Sequence, residues 1–376
     1  MTGQSASVPI DGDQGHARLM RVMVRSLAEA DGWLPFDRFM ALALYAPGLG
    51  YYANAARKFG RMPQSGSDFV TAPELSALFG RALAAQVAEA LARTGTDEIW
   101  EFGAGSGALA VQLLQTLEAD QALPARYTIV ELSAPLQQRQ RQALQRWGDR
   151  VHWASEWPAR LSGVVVGNEV LDAMPVKLLC RRAGRWYERG VVMQPDAQTL
   201  HWSDRATDLR LPVEIEGGHD YCTEIHLQAE AFMRSLADRL QQGAAFLIDY
   251  GFPQAEYYHP QRHMGTLVCH RAHQSDAEPL VDVGLKDITA HVNFTGIALA
   301  AQEAGLPTVG YASQARFLMN CGIVDLLAQA DLRERALALK LITEHEMGEL
   351  FKVIALSRTP DWTPLGFAQG DRTHTL

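Results

Sequence analysis

Residues 98–110 read Glu98-Ile99-Trp100-Glu101-Phe102-Gly103-Ala104-Gly105-Ser106-Gly107-Ala108-Leu109-Ala110. A short apolar strand, 98–102, runs into three glycines at alternate positions and then into a helical pattern over 107–120. Glycine lets the backbone bend tightly at such a strand-to-helix turn, and it lets a ligand approach where any Cβ would collide. The loop therefore predicts a nucleoside-ligand cradle. The same residues satisfy Gly-x-Gly-x-x-Ala, ending on Ala108, so glycines alone leave a dinucleotide fold open.

The rhythm continues outward from the loop. Apolar strand patterns fall at 126–132, 150–154 and 161–167, with helical patterns at 107–120 before the first of them and at 134–148 before the second. Strands alternating with helices of this length predict right-handed crossovers and a parallel sheet covered on both faces. A helix near 224–242 leads to a fifth strand, 244–251, and 351–358 reads as a last strand forming the antiparallel edge that mixed sheets often carry. Between 176 and 216 an alternating stretch, 185–193, predicts an inserted β-hairpin. The fold class is α/β, a doubly wound, mostly parallel sheet.

Acids mark the strand ends, where ligands of open α/β sheets sit. Glu101 precedes the glycines and can orient the loop or bond a ligand amino group. Glu131 ends the second strand 26 residues after Gly105, where a carboxylate can accept both hydroxyls of a ribose; about 20 residues is more typical of a dinucleotide site. The fourth strand runs into Gly167-Asn168-Glu169-Val170-Leu171-Asp172-Ala173-Met174-Pro175. Glu169 and Asp172, three apart, share a face if Glu169 opens a helix, where their charge also suits the N-terminus. Asn168 either caps that helix or offers its amide oxygen to a ligand. Asp249, with Tyr250, either lines an acceptor pocket or is a satisfied structural acid.

The 376 residues are 47% apolar and carry a net charge of -9, a balance that favours a small-molecule or protein partner over nucleic acid or an anionic membrane. Cys180, Cys222, Cys269 and Cys321 are scattered without a CxxC pair, which predicts neither a disulfide framework nor structural zinc and suggests a reducing compartment. No apolar run approaches a membrane span, and the polar first fifteen residues lack a signal core, so a cytoplasmic protein is expected. His259, His263, Cys269, His270 and His273 match no standard zinc spacing, so no metal is predicted. The expected organisation is a disordered 1–15, a helical and loop cap over 16–95 beginning with an amphipathic helix at 16–30, the sheet domain over 96–358 and a tail over 359–376. The cap contains a Gly-, Pro- and aromatic-rich loop, 47–73, whose Tyr51, Tyr52, Phe59 and Phe69 favour order. Its Arg57 and Lys58 either reach a ligand carboxylate or are simply exposed.

The segments 101–110, 127–133, 167–176, 246–251 and 265–270, with 57–60 and 67–76 upstream, resemble the MidA-type class I S-adenosylmethionine-dependent methyltransferases; the resemblance runs from about 45 to 358. It implies a Rossmann-like methyltransferase core with an N-terminal helical segment closing over S-adenosyl-L-methionine. In the mitochondrial members it further implies symmetric dimethylation of an arginine on a protein partner and assistance to assembly of respiratory complex I. By position, Gly103, Gly105 and Gly107 match the family's cofactor loop, Glu131 its ribose acid, and Asn168, Glu169, Asp172 and Pro175 its signature after strand four. Thr71, Ala72, Pro73 and Glu74 match the loop that faces the cofactor. Residues 61–69 run longer than the family form and Asn293 stands in place of Asp, so no role is carried over to Asp287, His291 or Asn293.

Methyl transfer asks for alignment and charge placement rather than covalent catalysis. An arginine acceptor must be held rigidly, with a proton finally lost from a group whose pKa exceeds about 12. On this reading Glu169, Asp172 and Asn168 are the catalytic candidates, and Glu101, Gly103, Gly105, Gly107, Glu131, Thr71, Pro73, Glu74 and Asn168 bind the cofactor. The expected partner is a protein presenting an arginine, a complex I subunit among the candidates, with a dimer as one possible assembly. A nicotinamide-type oxidoreductase and a cofactor-binding assembly factor with vestigial catalysis are the competing readings.

Overall fold

The structure, a computed structural model, describes residues 12–54, 70–194 and 199–376. Phe59, Phe69, Arg57, Lys58 and the 61–69 stretch lie outside them, as does 1–11.

Seven strands form the central sheet: β1 Glu98–Phe102, β2 Arg126–Val130, β3 Val151–Ala154, β4 Leu161–Asn168, β5 Leu240–Phe252, β6 Thr308–Ser313 and β7 Phe351–Ser357. Their order is 6-7-5-4-1-2-3, and the short Val292–Asn293 strand adds to β5. Strands β1 to β5 pair parallel, while β7 runs antiparallel to both β5 and β6. The last strand is thus antiparallel as expected but is not the edge. Val353, Ile354, Ala355 and Leu356 are fully buried, and β6 covers the side that would otherwise stand open.

Burial on both faces explains the unbroken apolar runs of β4 and β5. One core packs the helices Ala77–Thr94 and Ala108–Ala119 against Ile99, Ile129, Val164 and Phe246. The other packs Leu227–Arg239 and Phe294–Glu303 against Trp100, Val165 and Leu247. Ala77–Thr94, read as part of the N-terminal cap, thereby serves the sheet.

A third core joins the remaining N-terminal helices, Gly12–Glu29 and Phe36–Tyr45, to the insert and to the 267–290 region. The first helix begins at Gly12 rather than His16, so 12–15 are helical and not disordered. Leu19, Met23 and Leu27 recur every four residues and are buried, and His16 Nδ1 is hydrogen-bonded to the Val283 carbonyl at 3.0 Å. The insert is larger than a hairpin. Arg185–Gln194 pairs with Lys177–Arg182, Thr199–Ala206 and the distant Leu34–Pro35, and Tyr221–Ile225 completes a five-stranded antiparallel sheet. The register places Cys180 opposite Cys222, and the two form a disulfide. This corrects the expectation of no disulfide: the cysteines are 42 residues apart, and only strand pairing makes them neighbours.

Candidate active site

The chain leaves β1 for β2 and β3, then returns to β1's other side as β4. Ligands of open α/β sheets bind at such a switch point, outside the carboxyl ends of the strands. A cavity of about 1520 Å³ lies there, bordered by Thr71, Pro73 and Glu74, by Glu101, Gly103 and Gly105, by Glu131, and by Asn168, Glu169 and Asp172. The sequence-derived candidates are therefore brought together, except that Gly107 does not border the cavity.

The glycine loop takes φ values of 65°, 53° and 85° at Gly103, Gly105 and Gly107, a region that costs other residues energy. A Cβ on Gly103 would lie 3.2 Å from Val170 Cγ2. Gly107 starts the helix Ala108–Ala119 and packs on Gln140, with 3.4 Å between its would-be Cβ and Gln140 Cγ. Glu101 accepts a 2.8 Å hydrogen bond from the Tyr127 hydroxyl. Burial pushes its carboxyl up to about 8, so near neutrality it can donate as well as accept toward a ligand.

Glu131 is held from behind. The Ser133 amide donates to it at 2.8 Å and Gln140 Nε2 at 3.2 Å. Gln140 also donates to the Gly105 carbonyl at 2.9 Å, coupling the acid to the glycine loop. Burial raises Glu131, while the Ser133 and Gln140 hydrogen bonds oppose the rise. On the other wall, the Ser106 hydroxyl donates to Glu74. The Pro73 carbonyl takes Gln112 Nε2 at 2.8 Å, and Gln112 in turn accepts from the Gly80 amide at 3.0 Å. These bonds fasten the 71–74 segment to the glycine loop and its helix.

After β4 the geometry differs from expectation. No helix follows Asn168; residues 169–176 form turns and irregular chain, and Glu169 adopts φ 55°. The amides of Val170, Leu171 and Asp172 turn to the Asp249 carboxylate at 3.1, 2.8 and 3.3 Å instead of starting a helix. Asn168 therefore caps nothing: its Nδ2 donates to Glu169 at 3.0 Å, and its buried Oδ1 has no partner. Asp249 proves to be the satisfied structural acid, while Tyr250 borders the cavity.

S-adenosylmethionine fits these residues. Gly103 and Gly105 border the cavity, as does Glu131, which a hydrogen-bonded scaffold fixes, and the orphaned Asn168 Oδ1 and Ser133 Oγ await polar partners.

The far end of the cavity holds acids and rings. The Tyr45 and Tyr52 rings stack at 5.6 Å. Tyr45 donates to the Ala173 carbonyl at 2.9 Å and Tyr52 to Asp287 Oδ2 at 2.9 Å. Tyr250 hydrogen-bonds Asp172 and meets the His291 ring edge-on at 5.0 Å. Burial, with Asp172 next, pushes Glu169 up to about 8, against hydrogen bonds from Asn168 and the Ala72 amide. Burial likewise lifts Asp172 to about 6. His291 is pushed down to about 4, by burial and then by the Arg262 charge, and stays neutral near pH 7. Asn293, the departure from the family form, accepts from the Gly296 amide at 3.3 Å and caps the helix Phe294–Glu303.

Tyr45, Tyr52, Gln140 and His291 were not singled out as site residues from the sequence. Tyr52 lay in the loop marked as ordered, but Asp287 is 235 residues away, and nothing local pairs them. Among the described residues, no group of three or more His, Cys, Asp or Glu could hold a metal ion.

Residues 82–312 match a protein family described as putative S-adenosyl-L-methionine-dependent methyltransferases. A Drosophila melanogaster protein named protein arginine methyltransferase NDUFAF7 homolog, mitochondrial, is 26% identical over 92% of this chain and 86% of its own. The Homo sapiens protein arginine methyltransferase NDUFAF7, mitochondrial, is 24% identical over 87% and 81%. A crystal structure of a likely methyl transferase from Burkholderia thailandensis bound to S-adenosyl-homocysteine is 48% identical with a TM-score of 0.92, covering 98% of this chain and 100% of that one.

Proposed function

The chain belongs to the S-adenosyl-L-methionine-dependent methyltransferases, and from that premise we propose that it transfers the methyl group to an arginine of a protein partner. The observation that carries this reading is the far end of the cavity, where Glu169, Asp172 and Asp287 gather around the rings of Tyr45, Tyr52 and Tyr250. Such a pocket suits a cation: carboxylates meet its charge and ring faces meet its flat surface. The names of the Drosophila and human relatives support the same acceptor. The partner we favour is a respiratory complex I subunit, encountered in the cytoplasm.

When bound, S-adenosylmethionine supplies an electrophilic methyl group on a positive sulfur. Gly103 and Gly105 would lie against the cofactor, Glu131 would accept hydrogen bonds from the ribose hydroxyls, and the unpartnered Asn168 Oδ1 would be available to it. Glu169 and Asp172 hold the guanidinium and localise its charge away from the attacking nitrogen. That nitrogen would take the methyl group from the sulfur of the bound cofactor, and a carboxylate of Glu169 or Asp172 would accept the proton the nitrogen loses. The raised carboxyls suit this task, because a group titrating near working pH can release a proton when the cation arrives and take one back afterwards.

The test is transfer of labelled methyl from S-adenosylmethionine into a lysate lacking the protein, followed by mass spectrometry for methylarginine, with wild type and Glu169→Gln in parallel. Methylarginine from wild type and about 100-fold less from the variant supports the reading. Equal labelling removes Glu169 from the mechanism. No labelling, with a complex I subunit retained on the protein, favours the assembly-factor alternative.

A further inference from the structure

A fourth acid lies behind the Asn168–Asp172 turn. Asp249, 1% exposed, sits near the end of β5 and does not border the cavity. Its Oδ2 gathers the three consecutive amides of Val170, Leu171 and Asp172, and its Oδ1 accepts from the Tyr250 amide at 2.9 Å. The preceding residue, Ile248, takes the Glu169 amide on its carbonyl at 2.8 Å. Every amide from Glu169 to Asp172 thus ends on two adjacent residues of β5. This is what lets Glu169 occupy the left-handed region at φ 55°, which a residue with a Cβ avoids unless its surroundings compel it.

We infer that Asp249 is a positioning residue for methyl transfer: it builds the turn that aims Glu169 and Asp172 into the cavity. The inference rests on the reading of this cavity as a cation site. Burial, then the neighbouring Asp172 and Glu169, push the Asp249 carboxyl up, against the hydrogen bonds it accepts from the Leu171 and Tyr250 amides. The three neighbouring acids titrate as a group rather than one by one.

The other groups facing the cluster do not neutralise it. Lys352 stands opposite Asp249 in the β5–β7 register, but its ammonium donates to the Glu349 carbonyl and lies 3.6 Å from the Glu349 carboxylate. Tyr250 hydrogen-bonds Asp172. Asp287 adds a further acid beside Glu169, and Tyr45 and Tyr52 feel both Asp287 and Asp172. His291, beyond Tyr250, is neutral near pH 7, held down to about 4.

The cofactor pair offers a probe that needs no acceptor, since S-adenosylmethionine is charged at sulfur and S-adenosylhomocysteine is not. Calorimetric titration of both across the neutral range should show, in wild type, a preference for the charged ligand that grows with pH as Asp172 and Glu169, both pushed up by burial, ionise. In Asp249→Asn the midpoint of that growth should move by roughly one pH unit, because one of three mutually repelling acids has gone and the turn that holds the other two has lost an acceptor. A variant that binds both ligands with the wild-type midpoint overturns the inference. A wild type with no pH-dependent preference overturns the cation-site reading instead.

Hydrogen exchange on the wild-type protein tests the turn even if the variant fails to fold. The amides of 170–172 should exchange at least about 100-fold more slowly than open-turn amides. Exchange at the open-turn rate overturns the inference.

Discussion

Replacing Glu169 by Gln should make the ligand-free protein more stable at high pH while abolishing most of its activity. Burial raises the Glu169 carboxyl from an ordinary 4.5 to about 8, so between those values the folded protein holds a proton that the unfolded chain has released. Stability therefore falls as pH rises through this window. At about 1.4 kcal/mol per pH unit the full displacement corresponds to a ceiling of roughly 5 kcal/mol above pH 8. Sharing of the proton with Asp172 and solvent entry into the cavity reduce the expected effect to about 2–3 kcal/mol. Gln keeps one oxygen that can accept a hydrogen bond, and it carries no charge to lose. With an unfolding entropy of about 2 cal/mol/K per residue, the gain is roughly 3 °C in melting temperature at pH 8, shrinking to nothing near pH 5. Calorimetric melting of both proteins at the two pH values checks this. Parallel melting curves for wild type and E169Q across that range would refute the placement of a raised, buried carboxyl at this position.

Other substitutions report on separate parts of the site. Gly103→Ala places a Cβ 3.2 Å from Val170 Cγ2 at φ 65°; it should cost about 1–2 kcal/mol of stability and weaken S-adenosylhomocysteine binding at least tenfold by titration calorimetry. Glu131→Ala should lower affinity for the same ligand by about 10- to 100-fold, the worth of one or two hydrogen bonds to a charged group, and should lower the melting temperature, because the Ser133 amide and Gln140 Nε2 lose their acceptor. Tyr52→Phe removes the hydroxyl held by Asp287. It should raise the KM for an arginine peptide several-fold and leave cofactor affinity alone, as steady-state kinetics can separate.

The central sheet is the part of this fold most open to reading from the chain. Ile99, Ile129 and Val164 through Val166 sit in short apolar runs, each of the first two followed by a helix with its own 3.6-residue pattern, and such periodicities are local properties. The glycine loop and Glu131 were legible for the same reason: a tight turn after β1 and an acid at the tip of β2 follow from position along the chain. Cys180 with Cys222, Leu34 with Val191, and Tyr52 with Asp287 carry no such mark. Each pair is made by the return of a distant segment.

The stretch after β4 separates the two kinds of information most clearly. Asn-Glu at a strand end, with an acid three residues on, has the local chemistry of a helix start, and taken alone it predicts one. Amides at a helix start need acceptors, however, and here Asp249 supplies them from 77 to 79 residues away in sequence. Local sequence determined that polar groups would stand at this strand tip. Whether they formed a helix cap or a left-handed turn facing a cavity was decided by which carboxylate folding brought beneath them, because a backbone N–H takes the acceptor that three-dimensional packing provides.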